Sequence, residues 1–174
     1  MLNKIKLMLM AGLAGSLVGC ATYVNIPPQP GDMAWHDPNH PTVQMVVSEA
    51  LQAVAAHQQK EGRIAILLPD GTLAKNYSKT ASQIRNETVW PGNPQRSEQP
   101  LLQVKAIRIR GTKAAVDVIH NANPQAPDTK DQLITVDLAW DVVEGWSAQR
   151  LKLWRTDAQN VTTPGSLRTI AAYP

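Results

Sequence analysis

Apolar residues recur at helical spacing early in the chain and alternate with polar residues in its second half. The helical spacing is clearest in a stripe of six positions: Val43, Val46, Val47, Ala50, Leu51 and Val54. Residues spaced in this way lie on one face of a helix. We therefore predict a helix over Thr42–Glu61 that packs on a core and ends at Gly62.

A short strand and a second helix are predicted next. Arg63–Leu68 is apolar, and it stops at Pro69-Asp70-Gly71-Thr72, a sequence typical of a turn. From Leu73 to Asn86, apolar residues recur about once per helical turn, which predicts a helix with one apolar face.

The alternating pattern of the second half predicts two hairpins. The first joins Leu101–Arg110 to Ala114–Asn121 through a short turn. Two registers fit the pattern, one with Arg108 opposite Asp117 and the other with Arg108 opposite Ala115.

The second hairpin begins with Leu133–Val143, where apolar and polar residues alternate without interruption. We predict a tight turn at Glu144-Gly145 that sets Val143 opposite Trp146. The resulting register pairs Leu138 with Leu151, Val136 with Leu153 and, on the other face, Asp137 with Lys152.

These elements predict an α+β domain over residues 42–158, with the order α-β-α-β-β-β-β. Two helices are expected on one face of an antiparallel sheet of four to five strands, because the last strands are apolar on one side only. Residues 159–174 contain Pro164-Gly165 and no periodicity, so we expect a C-terminal tail.

The first 19 residues have the pattern of a secretory leader. Lys4 and Lys6 precede an apolar run of about a dozen residues, which is shorter than the ~20 needed to span a bilayer. The run closes on Leu17-Val18-Gly19-Cys20, which resembles the lipobox of bacterial lipoproteins. This resemblance implies cleavage before Cys20 and attachment of a lipid to its sulfur.

The lipobox predicts a protein held in the bacterial cell envelope by the lipid on Cys20. Ala21, not an aspartate, follows the cysteine, which resembles the default of Gram-negative lipoproteins that are exported to the outer membrane. We therefore expect the outer membrane, facing the periplasm. Residues 20–41 contain five prolines after the cysteine and are predicted to form a semi-rigid tether that lifts the domain off the bilayer.

Composition excludes several classes of function. Cys20 is the only cysteine, so its acylation leaves no thiol for a disulfide, a nucleophile or a metal site. The formal charge of +3 becomes +1 when Lys4 and Lys6 leave with the leader, and this gives no basic excess for nucleic acid. No cofactor motif is present, and no residue is assigned to ligand binding.

The candidate chemical sites are few. His36 and His40 are weak candidates for metal binding, because prolines make a shared helix face unlikely there. Trp35, which directly precedes His36, is expected to pack back on the domain. Asp137 and Asp141 are expected to form a solvated charge ladder near Arg150 and Lys152 rather than a catalytic pair.

One aromatic and cationic patch is predicted on the last strand, where Trp154 lies near Arg150 and Lys152. It has two interpretations. It contacts an anionic lipid or glycan, or, as we favour, the C-terminal tail covers it.

Three further segments resemble uncharacterised lipoproteins of planctomycete type: Ala65 through Asp70-Gly71, Val116-Asp117-Val118-Ile119, and Leu151-Lys152-Leu153-Trp154. This resemblance implies no activity and no site residues.

We expect a non-catalytic domain that binds a protein or an envelope polymer. The alternatives are a ligand-holding cone similar to nuclear transport factor 2, with Trp140 and His120 lining its cavity, and, third, a hydrolase of unknown substrate.

Overall fold

The computed structural model describes residues 23–58, 63–84, 88–90, 99–121, 131–154 and 168–170. The helices within these ranges are α1 (Pro41–His57) and α2 (Ala74–Ile84). The strands are β1 (Tyr23–Ile26), β2 (Ile64–Leu67), β3 (Thr88–Val89), β4 (Leu101–Arg110), β5 (Lys113–Asn121), β6 (Gln132–Asp141), β7 (Gly145–Trp154) and β8 (Arg168–Ile170).

The first helix confirms the predicted apolar stripe. Its six apolar positions are each at most 1% exposed. Pro41 occupies the first turn, where its fixed φ and missing N–H cost nothing. His40 precedes it, and its ring Nδ1 accepts a hydrogen bond from the Thr42 amide at 3.3 Å. The described helix ends at His57, with Gln58 as its C-cap. The predicted extension to Glu61 and the stop at Gly62 fall outside the described residues.

The second helix is fixed by a contact to the preceding strand segment. The Tyr77 hydroxyl donates to the Leu68 carbonyl at 3.1 Å and accepts from the Leu68 amide at 3.0 Å. Ala81 is buried, while Leu73, predicted as the first position of the stripe, precedes the helix and is 49% exposed.

The α+β class is confirmed, but the sheet is larger than predicted and is mixed. Within the described residues it contains eight strands, in the order β3-β2-β4-β5-β6-β7-β8 with β1 paired to β4. β2 runs parallel to β3 and β4, and the other pairings are antiparallel. The prediction of four to five antiparallel strands was wrong in two respects. The short strands β1, β3 and β8 were not predicted. In addition, α2 connects β2 to β3 as a crossover, which makes these two strands parallel neighbours.

The predicted tether differs most from the structure. Tyr23–Ile26 pair with β4 from Arg110 to Ile107, on the edge that β2 uses at Leu101–Gln103. Val24 is fully buried, and Ile26 and Ala34 are 7% exposed. Residues 23–40 therefore belong to the folded domain. The backbone of Trp35 also pairs with Tyr23 and Asn25, but its indole is 61% exposed and does not pack on the core as predicted.

The first hairpin adopts the register with Arg108 opposite Ala115. A β-bulge between Val104 and Ala106 shifts the rest of the pairing. Because cross-strand diagonal neighbours remain within reach of long side chains, Arg108 still binds Asp117 at 2.8 Å.

The second hairpin has a different register from the predicted one. Asp141 pairs with Gly145, so the turn comprises residues 142–144, and Gly145 has a φ of +80°. A turn of three residues followed by a left-handed glycine is a common hairpin connection. The predicted pairs are replaced by Val136 with Leu151, Ile134 with Leu153, Asp137 with Arg150 and Leu138 with Ala148. The last of these pairs lies across a bulge.

Helix α1 packs across the inner face of the sheet, with contacts from β4 to β7. The side chains beneath it are fully buried: Ile107, Ile109, Val116, Val118, Ile134 and Val136. None of the helices in the described part of the chain is long and apolar enough to cross a membrane. Neither of the two described helices packs on the outer face of β4–β7, which carries the polar side chains.

Candidate binding groove on the outer sheet face

A chain of hydrogen bonds crosses the outer face from β4 to β7. Arg108 donates from both terminal nitrogens to Asp117, at 2.8 and 2.9 Å. The Thr135 hydroxyl donates to the same carboxylate at 2.7 Å and accepts from the Trp154 indole N–H at 2.9 Å. Each donor is thus directed at an acceptor on the next strand, which fixes the orientation of four side chains. The hydrogen bonds to Asp117 raise the pKa of Arg108 above its already high usual value.

A second cluster lies closer to the β6–β7 turn and centres on Asp137. Its Oδ2 atom accepts from Arg150 at 2.7 and 2.9 Å and lies 2.9 Å from Lys152 Nζ. Partial burial alone would raise the pKa of Asp137. The hydrogen bonds and positive charges of Lys152 and Arg150 outweigh that effect and hold the pKa below its usual value.

Between and beside these ion pairs is a groove of about 480 Å³. Ala115 and Ala139, two small residues on the outward-facing positions of the central strands, line it. Long side chains from the flanking strands also line it, and four of them are cationic: Arg108, Arg110, Lys113 and Arg150. Asp137 is the one carboxylate among these lining residues. The groove therefore presents an excess of positive charge.

The β6–β7 bulge contributes to the shape of the groove. The pairing passes from Asp137–Arg150 to Leu138–Ala148, so Gln149 has no partner across the hairpin. An extra residue of this kind bends the strand and redirects its side chain. Gln149 lines the groove as a result, beside Arg150.

Arg110 and Lys113 occupy the groove end nearest the β4–β5 turn, and they differ in how they are held. Arg110 donates to the Val24 carbonyl at 2.9 Å and to Asn25 Oδ1 at 2.8 Å, and its guanidinium stacks 3.5 Å from the centre of the Tyr23 ring. Lys113 is exposed and forms no ion pair within the described residues. Its charge is available to a ligand.

The predicted metal candidates have partners within the chain. His36 Nδ1 lies 2.7 Å from the Asn25 carbonyl oxygen, and His40 Nδ1 accepts from the Thr42 amide. The His40 ring also contacts Trp35 edge to face, with ring centres 5.3 Å apart. Across the ranges that the structure describes, no group of three or more His, Cys, Asp or Glu side chains is placed to hold a metal ion.

The predicted charge ladder includes only one of its two carboxylates. Asp137 binds Arg150 and Lys152, whereas Asp141 Oδ1 accepts from the backbone amides of Val143 and Glu144, at 2.8 and 3.4 Å, and shapes the turn. Asp141 is thus a turn residue and does not extend the ladder.

The two residues proposed to line an interior cone lie at opposite ends of the sheet, because His120 pairs with Gln132 at the start of β6 and Trp140 is near the end of β6. His120 is on the inner face and 7% exposed, and Trp140 is 41% exposed at the end of β6. Helix α1 covers the inner face of the sheet from β4 to β7, over side chains that are fully buried. Cys20 lies outside the described residues.

Trp154 is 42% exposed, and its indole N–H donates a hydrogen bond to the Thr135 hydroxyl. The one part of the predicted tail that the structure describes, β8, pairs beside β7 at Leu151–Leu153 and extends the sheet. The rest of the tail lies outside the described residues, and with it the prediction that the tail covers this patch.

Of the groove-lining residues, sequence reasoning connected only Arg150 with binding, as part of the patch with Trp154 and Lys152. Arg108 and Arg110 alternate with buried isoleucines, and Ala115 and Ala139 occupy outward positions on central strands. Small residues on an exposed strand face, next to arginines on a neighbouring strand, are the signal that could have indicated a groove. Comparison of the chain with protein-family models, with curated proteins and with solved structures found no match.

Proposed function

We propose that this protein is a lipid-anchored lipoprotein of the bacterial envelope whose domain binds an anionic envelope polymer. The observation that carries the binding proposal is the groove, with four cationic side chains around a small-residue lining. The lipobox carries the anchor, with Ala21 directing the protein to the outer membrane and the domain facing the periplasm. The proposed activity is binding, which makes and breaks no covalent bond.

The charge and shape of the groove favour an anionic group as ligand. Arginines present planar arrays of N–H donors that match carboxylates and phosphates. Arg108 is already oriented by Asp117, and Arg150 by Asp137, so these side chains lose little conformational freedom when a ligand binds. The volume of about 480 Å³ lies within the range of small-ligand sites, enough for one charged unit of a chain.

A polymer fits this groove better than a folded protein partner does. The groove is open along the sheet surface and lacks the central aromatic anchors that dominate protein–protein interfaces. A chain with carboxylates at regular intervals would place one unit in the groove while its neighbouring units continue along the sheet surface. An acidic protein segment is the competing partner.

The anchor is tested by the substitution Cys20→Ser. We expect it to abolish incorporation of a labelled fatty acid and to release the protein from membranes, because serine offers no thiol for the thioether. Lys113→Glu serves as the control, since it alters only the groove and should leave labelling unchanged. Membrane retention and labelling of Cys20→Ser would refute the anchor.

The groove is tested by co-sedimentation of the lipidated protein, in detergent, with purified cell-wall sacculi, a polymer rich in carboxylates. We expect Lys113→Glu to weaken binding about fivefold to tenfold, since an exposed charge contact is worth ~1 kcal/mol and reversal makes it repulsive. Lys79→Glu on α2 changes the net charge equally at an exposed position outside the groove lining.

The control variant should bind as the unaltered protein does. Equal losses in the two variants would mean that net charge, not the groove, determines binding. If sacculi fail to bind at all while an acidic protein is crosslinked to residues of the groove, the polymer is the wrong partner.

A further inference from the structure

One end of the sheet gathers the start of the described chain and two turns. Tyr23, the first residue of β1, pairs with Arg110, the last residue of β4. The β4–β5 turn and the β6–β7 turn are at this same end, and the Trp140 amide donates to the Thr112 carbonyl at 2.8 Å. The chain that precedes Tyr23 therefore enters the sheet beside both turns.

This end exposes large apolar side chains. Val142 and Val143, in the β6–β7 turn, are 80% and 86% exposed. Trp140 and Tyr23 are 41% and 44% exposed. Tryptophan and tyrosine are enriched at the level of lipid headgroups because one part of each ring system is apolar and another part polar. Val142 and Val143 follow Trp140 in the chain, whereas Tyr23 lies on β1, which β4 and β5 separate from β6. The exposed apolar side chains are therefore spread along this end of the sheet.

The anchor attaches close to this surface. Cys20 and Tyr23 are three residues apart in the sequence, and a fully extended chain of that length spans about 11 Å. The proline-rich residues 27–30 follow β1 rather than precede it, so they add nothing to this distance. A lipid on Cys20 would thus hold Tyr23 within about 11 Å of the acylated residue.

Tyr23 is rigidly joined to the sheet. Four residues of β1 pair with β4, the Trp35 amide donates to the Tyr23 carbonyl at 2.8 Å, and Arg110 stacks on the Tyr23 ring. Any restriction on the position of Tyr23 is consequently transmitted to the whole domain.

The charges of the residues in the two turns and the adjoining strand ends sum to zero. Arg110 and Lys113 are positive, and Asp141 and Glu144 are negative. Asp141 is turned toward the backbone of its own turn, and Arg110 toward β1. Contact with a bilayer at this end would therefore depend on the apolar side chains and vary little with salt.

We propose that this end of the sheet docks on the bilayer that holds the lipid of Cys20. Val142 and Val143 enter the headgroup region, and Trp140 and Tyr23 lie at the interface. The inference rests on the lipid anchor proposed above. It fixes the orientation of the domain: the strands rise from the membrane, and the cationic groove opens sideways close to its surface.

The test uses the single-cysteine composition of the chain. Acylation of Cys20 leaves no other thiol, so Val142→Cys introduces a unique site for a nitroxide spin label. The lipidated variant is placed in vesicles of phosphatidylethanolamine and phosphatidylglycerol, and label collisions with oxygen and with a water-soluble nickel chelate are measured. Asp131→Cys, an exposed site before the first residue of β6, at the opposite end of the sheet, is the control.

Docking predicts that the label at position 142 loses most of its collisions with the chelate and gains collisions with oxygen, relative to the label at 131. Adding Val143→Asp should return the label to water, whereas Val143→Leu should not. Because both valines are more than three-quarters exposed, neither change removes a core contact, and circular dichroism should confirm the fold.

The alternative results separate the two proposals. A vesicle-bound protein whose label at 142 is as accessible to the chelate as the label at 131 would overturn docking and leave the anchor intact. Spin labelling of Cys20 in the chain without introduced cysteines, together with failure to remain on vesicles, would overturn the anchor and the docking surface together.

Discussion

Successive residues of β5 and β6 point to opposite faces of the sheet, and the two faces differ in burial and in polarity. On the inner face, Val116, Val118, Ile134 and Val136 have no measurable exposure. Their immediate neighbours on the outer face are Ala115, Asp117, Thr135 and Asp137, which bind charges or line the groove. One pair of strands thus provides both the hydrophobic core and the candidate site.

The difference indicates how stability and binding are divided in this domain. Inner residues stabilise the fold because their apolar side chains leave water and pack closely, and this stabilisation is insensitive to charge and salt. Outer residues gain little stability from partly exposed ion pairs, but these pairs fix the orientation of Arg108 and Arg150 beside the groove. Substitutions on the inner face should therefore affect folding first, and those on the outer face should affect binding first.

The largest expected effect is that of Leu51→Ala on the inner side. Leu51 belongs to α1 and is fully buried in the core. Removing its methyl groups leaves a cavity, and buried leucine-to-alanine changes cost about 2–5 kcal/mol. We expect the free energy of unfolding in urea to fall by about 3 kcal/mol.

Leu73→Ala is the matched control, because the same atoms are removed from a side chain that is 49% exposed. Its cost should be well under half that of Leu51→Ala. Similar losses in the two variants would show that α1 does not form the tightly packed cover of the inner face.

A smaller effect is expected for Asp117→Asn on the outer face. The change keeps the volume but removes the charge that orients Arg108, and it weakens the bond from Thr135. Hydrogen bonds to charged groups are worth about 1.5–3 kcal/mol, and partial exposure reduces that value, so we expect a loss of about 1–2 kcal/mol. Urea unfolding measures it.

The control for this substitution is Asp70→Asn, the same chemical change at an exposed turn residue. It should leave the free energy of unfolding nearly unchanged. Binding of sacculi should fall in Asp117→Asn and not in Asp70→Asn, because only the former releases Arg108 from its position beside the groove. Undiminished binding would mean that the orientation of Arg108 is irrelevant to the site.

The inner face was the predictable part of this fold. The stripe from Val43 to Val54 and the alternation in β6 reflect a single physical requirement, that apolar side chains lie on one side. The stripe, the alternation as far as Leu138 and the α+β class were predicted correctly, whereas Val142, predicted as the last position of the apolar face, lies in the turn and is 80% exposed. What failed was the exact pairing: a three-residue turn and a bulge at Gln149 shifted β7 against β6.

Pairing failed because apolar alternation is satisfied by more than one register. Val136 contacts an apolar partner whether it is paired with Leu153, as predicted, or with Leu151, as observed. Turn geometry decides between them. The glycine at 145, whose φ is positive, sets that geometry, and the sequence allows it to be either inside or just after the turn.

The peripheral strands and the groove were beyond the sequence pattern for another reason. β3 has two residues and β8 has three, too few to show a period. β1 has four residues and was obscured by the prolines that follow it. The groove depends on residues from separate strands, Arg108, Ala139 and Arg150 among them, so it emerges only when the sheet is assembled.

The smallest expected effect on the outer face is the pH dependence contributed by Asp137. Its pKa in the folded protein lies below the usual value of 3.8. The ion pairs with Lys152 and Arg150 therefore contribute stability above that value and lose it as the pH falls through the folded pKa. Arg150 is 45% exposed, so the contribution is under about 1 kcal/mol.

Comparing the unaltered protein with Asp137→Asn isolates this contribution, because other acid-sensitive groups, including Asp32 with its lowered pKa, are present in both. The difference in free energy of unfolding between the two proteins should be largest near neutral pH and should shrink below pH 3.8. The inner-face variant Leu51→Ala should instead show a loss independent of pH. A constant difference for Asp137→Asn as well would mean that its carboxylate stabilises the fold by shape and not by charge, and the contrast between the two faces would be weaker than the structure implies.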